Sequence, residues 1–158
     1  MKFSAQEEYG LRCLLQIARS GPDGSMTIPE ISRVEGLSQT HVAKLLMILR
    51  KDGIITSTRG QTGGYALARP ADEIAIGAVL AALGGRLYDE EFCTKHAGQL
   101  SICKHAVDCS VRSLWQVIQE SVDHVLKGLS LADMMDKGEA LSNVTFMSAP
   151  PSRETVRT

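Results

Sequence analysis

Capped apolar repeats of helical length, two short apolar runs flanking a glycine-rich loop, and a long amphipathic stripe predict a mainly α fold with one small hairpin. With 158 residues and 17.1 kDa, the chain has room for one domain and an appended element, not for two full domains. A composition of 44% hydrophobic and 22% charged residues is that of an ordinary water-soluble chain. The runs "LLQIA" and "AIGAVLAAL" fall far short of the roughly 20 residues that span a bilayer. The start "MKFSAQEEYG" carries acids and no signal-peptide pattern, so a cytoplasmic, reducing location is expected, with no membrane partner.

The first helix is expected from Ser4 to Ser20, with Ser4 and Glu7 as a capping box and Leu11, Leu14, Leu15 and Ala18 as its stripe. "GPDG" ends it with turn chemistry. Thr27, Pro29 and Glu30 announce a second helix that carries Ile31 and Val34 inward and stops near Gly36. Ser38 caps a third, with Val42, Leu45, Leu46 and Leu49 on one face, and Asp52-Gly53 closes it. Two short helices about a glycine turn make a helix-turn-helix. "IITST", "RGQTGG" and "YALAR" then read as strand, loop and strand. That order predicts a winged helix-turn-helix domain over residues 1–70. Residues 71–136 are expected to hold a helix from Ile76 to Leu83, a cysteine-bearing loop and a long helix from Ser110 to Lys127. The long stripe of Val111, Leu114, Trp115, Ile118, Val122, Val125, Leu126 and Leu129 exceeds what so small a domain covers internally, so a dimer partner is expected. Residues 137–158 are polar and read as a disordered tail.

Net charge is −1, which argues nothing for nucleic acid, but its distribution is uneven. Ser38 to Arg69 holds five basic residues against the single Asp52. Helix-turn-helix proteins lay the second helix in the major groove, its N-terminal residues against base edges. Ser38, Gln39, Thr40 and His41 occupy that place here, with Lys44 and Arg50 further along and suited to phosphates. Arg59, at the wing tip with Gly60, Gln61 and Thr62, is expected to reach the neighbouring groove. The plainer account of Arg59 is a solvated hairpin charge, and of Gln39 and His41 ordinary surface.

Cys93, Cys103 and Cys109 fall within seventeen residues of a chain with no export signal, which points to a metal or iron–sulfur site rather than disulfides. Nine and five residues intervene, so the ligands lie on a loop wrapped about the centre. Unrelated buried or exposed thiols are the competing account.

The opening "MKFSAQEEYGLRCL", the segment "LRKDGIITSTRGQTGGYALAR", the helix "EIAIGAVLAALGG", the three cysteines and "LSLADMM" together resemble the IscR/NsrR-type iron–sulfur transcriptional regulators, from Met1 to about Asp136. The resemblance implies a homodimeric repressor on a double-stranded DNA operator. It implies an iron–sulfur cluster, [2Fe–2S] or [4Fe–4S], as cofactor, and no enzymatic activity or small-molecule substrate. Some members complete the cluster with a His shortly after the third Cys, where this chain has Arg112. Others use a carboxylate from the first helix of the partner, and Glu8 stands at that position. A carboxylate oxygen suits iron less well than thiolate and makes a labile site. Glu8 ranks first as fourth ligand, ahead of His105 and Cys13, with His96 and Glu7 also in reach of the argument. Cys13 lies about 140° around a helix from Glu8 and among core leucines. A plainer role for Glu8 is an i,i+4 pair with Arg12. Nitric oxide, redox change and iron or cluster supply are the signals implied, and the sequence does not choose among them. The rival readings are a structural zinc site, vestigial cysteines under a protein partner's control, and a thiol enzyme, for which no base and oxyanion donors appear as a set.

Overall fold

The computed structural model describes residues 4–58, 63–89, 91–95 and 109–135. Helix α1 runs over Ala5–Arg19, α2 over Ile28–Glu35 and α3 over Gln39–Lys51. Both expected capping boxes form. Ser4 Oγ accepts from the Glu7 amide and Thr27 Oγ1 from the Glu30 amide, while each glutamate takes the cap's own N–H. Gly36 ends α2 in the left-handed region at φ 67, and Ser38 caps α3 two residues later. That spacing is what turns α3 across α2.

Strands β1 (Ile55–Ser57) and β2 (Tyr65–Leu67) pair antiparallel, Ile55 with Leu67 and Ser57 with Tyr65. Met26, just before α2, adds a third rung. Its amide donates to Tyr65 O at 3.0 Å and Tyr65 N donates to Met26 O at 2.8 Å. Gly64 lies so close to this rung that a Cβ there would stand 2.8 Å from Met26 O, and glycine alone fits.

Helix α4 (Ile76–Gly84) crosses α1 where Gly10 replaces a side chain, since a Cβ at Gly10 would stand 2.4 Å from the Leu83 side chain. A short α5 (Phe92–Lys95) is followed by α6 (Ser110–Leu126) and α7 (Leu131–Met135). The chain returns from α6 as a bridge of Ser130 with Ala75, locked by Ile76 N–H to Leu129 O and Leu131 N–H to Ile74 O. One core results, centred on Leu14, Ile17, Ile31, Leu45, Leu46, Leu49, Ile54, Ile74 and Leu83, and Leu131 of α7 closes it.

One expectation changes. Ile31 is buried as read, but Val34 is 50% exposed, because in this eight-residue helix a single turn faces the core. On α6, Val111, Leu114, Val117 and Val125 are exposed while Gln119 is the one buried polar residue among those described. Its apolar arc is wider than one face. The inner half, carrying Trp115, Ile118, Val122 and Leu126, leans on its own domain. The expected tail over 137–158 lies outside the described residues.

Candidate nucleic-acid interface and metal centre

Burial of Val42, Leu45, Leu46 and Leu49 fixes the rotation of α3. At about 100° per residue, Thr40, Lys44, Met47 and Lys51 then point away from the core, with Gln39, Ala43 and Arg50 to one side and His41 to the other. Gln39, Thr40, Lys44 and Arg50 are all exposed. Ser38 Oγ accepts from the His41 amide at 3.3 Å, so this side chain already serves as the cap. His41 is half-buried, its ring edge-on to Tyr9 of α1 with centroids 5.5 Å apart.

Tyr9 itself lies beneath the Arg12 guanidinium at 5.6 Å. Arg12 does not pair with Glu8. Its Nε donates to Glu35 Oε2 at 2.6 Å, and Gln16 donates to the other Glu35 oxygen at 2.6 Å. Glu35 at the end of α2 outcompetes Glu8 because it is largely enclosed and receives two donors there. Helix α1 is thereby fastened to both halves of the helix-turn-helix. The strands are joined at the loop end of the wing hairpin by Thr58 N–H to Gly64 O at 2.8 Å and Gly64 N–H to Thr58 Oγ1 at 2.9 Å. Arg59, Gly60, Gln61 and Thr62 lie outside the described residues.

The cysteine segment is held against α6 at both of its described ends. At the first, Tyr88 N–H donates to Gln119 Oε1 at 3.1 Å, Gln119 Nε2 donates to Asp123 at 2.9 Å, and Arg86 pairs with Asp123. At the second, Cys109 caps α6 and its Sγ accepts from the Arg112 amide at 3.4 Å. Arg112, standing where some relatives of the resembled type have a His, contributes this backbone donor. Phe92 bridges Tyr88 and Trp115, with centroids at 5.4 and 6.3 Å.

Cys93 and Cys109 are half-buried free thiols, and both act on Tyr88. The Tyr88 hydroxyl is raised above its ordinary value by desolvation first, then by Cys93 beside it and, more weakly, by Cys109. Cys93 is thus the nearer thiol to the phenol, and Cys109 acts on it from further off. Cys103, His96 and His105 lie outside the described residues. Cys13 is fully enclosed, and burial pushes its thiol up to about 11. That placement removes it from the ligand set. Glu7 is committed to the Ser4 cap. Glu8 is exposed on the first turn of α1, and its carboxylate has no hydrogen-bond or ion-pair partner among the described residues. Within one chain, Glu8 does not join Cys93 and Cys109, as no group of three or more His, Cys, Asp or Glu converges among the described residues. Sequence reasoning missed Tyr88 and Gln119. An aromatic five residues before Cys93 was a readable hint, whereas a glutamine inside an apolar stripe was not.

Two short helices in helix-turn-helix register, a paired hairpin and a core closed by α4 and α7 define a winged helix-turn-helix DNA-binding regulator. The chain matches the family model "Rrf2: Iron-dependent Transcriptional regulator" over residues 3–137, and it belongs to that family. It is 34% identical over 135 residues to protein rrf2 of Nitratidesulfovibrio vulgaris, covering 85% of this chain and 87% of that one. It is 30% identical over 141 residues to the HTH-type transcriptional regulator IscR of Erwinia tasmaniensis, covering 89% and 82%. Among solved structures, it superposes on T. potens IscR with a TM-score of 0.65 at 28% identity, covering 95% of this chain and 94% of that one. CymR, the global cysteine regulator of B. subtilis, gives a TM-score of 0.65 at 26% identity, covering 87% and 98%. These relatives are transcriptional regulators, not enzymes. No helix among the described residues is long and apolar enough to cross a membrane.

Proposed function

We propose that this Rrf2-family regulator is a homodimeric repressor whose grip on its operator is set by an iron–sulfur cluster. The observation that carries the reading is the pair of free, partly exposed thiols Cys93 and Cys109, with both described ends of the cysteine segment moored to α6. The donor set suits the group. Two free, partly exposed thiols are soft ligands, and the backbone amide donating to Cys109 Sγ is the kind of outer partner that steadies a metal-bound sulfur. Cys103 would supply the third thiolate, and Glu8 of the partner subunit a fourth, oxygen ligand. Such a cluster, when bound, supplies sensitivity to oxidation, to nitric oxide or to cluster supply.

The chain's own part is mechanical. The exposed half of the α6 arc, Val111, Leu114, Val117 and Val125, would pack on the same surface of a second copy. Ordering of the cysteine segment along α6, with Glu8 engaged, would fix how far apart the two α3 helices stand. Half-sites are read about one helical turn of DNA apart, so a small change in that spacing costs several kcal/mol of binding. Gln39, Thr40, His41 and Ser38 would face bases, Lys44 and Arg50 phosphates, and Arg59 through Thr62 the wing contacts.

Anaerobic purification tests the proposal. The expected product is coloured, contains iron and sulfide, and changes operator affinity when they are removed. Colourless protein containing zinc would replace this reading with a structural site, and protein with neither metal would end it. Glu8→Ala should then alter the cluster's spectrum or retention. Arg59→Ala should weaken operator binding by about 1–3 kcal/mol and relax base preference.

A further inference from the structure

The outward line of α3 contains a residue that charge and hydrogen-bonding considerations pass over. Met47 is 60% exposed, although it is large, apolar and in the middle of a 13-residue helix. Its direction follows from the core. The four buried positions of α3 centre on one side, and Met47 stands about 150° from that centre. Thr40 lies one turn-pair earlier on nearly the same line, and Ala43 between them completes an i, i+3, i+7 strip. The strip therefore presents two methyl groups and a thioether.

We propose that Met47, with Ala43 and Thr40 beside it, is a specificity-determining residue that packs against thymine methyl groups in the major groove. The assignment rests on α3 being the DNA-reading helix and deepens that reading.

The surroundings select this occupant. Lys44, Arg50 and Lys51 flank Met47 on α3, all exposed, and their charges match phosphates on either side of a groove rather than an apolar protein surface. The other large apolar side chains exposed among the described residues lie on α2, at Leu87 or along α6. Within the groove, the C5 methyl of thymine is the apolar feature that distinguishes one base pair from another. An unbranched, polarizable thioether reaches such a group without a fixed rotamer. Met47 thus offers a methyl-sized contact while its basic neighbours hold the phosphates.

The experiment uses full-length protein and the duplex it enriches from a random-sequence pool. Each thymine of that duplex is replaced singly by deoxyuridine, which removes only the methyl group. Wild-type protein should lose about five- to tenfold in affinity at one or two thymines in each half-site. Met47→Ala and Met47→Gln should bind the unmodified duplex weaker by a similar factor, yet be indifferent to deoxyuridine at those positions, as expected of a coupled pair. Both variants alter an exposed side chain, and an unchanged thermal midpoint confirms intact folding. Wild-type affinity in both variants, or an undiminished deoxyuridine penalty in them, would overturn the assignment to Met47 alone. Failure of the wild-type protein to enrich any sequence would overturn the DNA-reading role of α3 along with it.

Discussion

Cys13 is sealed among Leu14, Ile17 and their neighbours, whereas Cys93 and Cys109 are partly open to solvent. A thiol-specific reagent applied to metal-free folded protein should label Cys93 and Cys109 and spare Cys13 until the chain is denatured. Mass spectrometry of the labelled peptides reads this directly, and rapid native labelling of Cys13 would contradict its enclosure. Enclosure also has a pH consequence. Burial raises the Cys13 thiol from its ordinary 9.0 to about 11, so only the unfolded chain releases this proton between those values. Its contribution to stability is complete below pH 9 and is lost as pH rises toward 11, by an amount on the order of 2 kcal/mol. Urea midpoints at pH 8 and 10 should show the fall, and Cys13→Ala should reduce it. Glu30 and Asp133 act at the other end. Hydrogen bonds from the Thr27 and Ser130 caps hold both carboxyls below their ordinary values, and their contributions fade as acid protonates them.

At the scale of elements, the crossing of α1 and α4 depends on a missing side chain at Gly10. Gly10→Ala should destabilise the protein by about 1–3 kcal/mol, since Leu83 is itself packed in the core and has little room to retreat. A thermal midpoint unchanged by the substitution would show that Leu83 can repack. The mooring of the cysteine segment is similarly specific. Gln119→Leu would strand the Tyr88 amide and one side of Asp123, costing about 1–3 kcal/mol and loosening the segment that carries Cys93. The helices, their caps and the hairpin were legible because each is decided by neighbours in sequence: Ser4 with Glu7, Thr27 with Glu30, Gly36 ahead of Ser38. The bridge of Met26 to Tyr65 and the return of α7 onto Ile74 were not, because they join residues far apart along the chain. Arg12 illustrates the same limit. Its nearest acid in sequence is a helical turn away, yet the fold gives it Glu35.

Across the whole molecule, the apolar surface is spent unevenly. Helix α6 lies along α4, and between them Gly77, Leu80, Ile118 and Val122 line an open groove of about 510 Å³ whose rim includes Val117 and Val125, while Val111 and Leu114 stand clear of it. Leu114→Asp or Val117→Asp should convert the dimer proposed above into monomer, measured by light scattering, while the helical content of the winged domain stays unchanged. Operator binding should then fall steeply, because a single head forfeits the second half-site. Persistence of the dimer in both variants would place the interface elsewhere. The proposed ligand set was legible only as a cluster of thiols. What the chain adds around them, a phenol, a buried amide and a capped helix, emerges once α6 is folded back along the segment.

Met26 exchanges two hydrogen bonds with Tyr65, and so the strap leading into α2 doubles as part of the wing. Gains or losses of residues over 21–25 should therefore leave the head undisturbed, but an insertion between Met26 and Thr27 would slip a rung. Length variation among homologues should pool upstream of that rung and vanish at it.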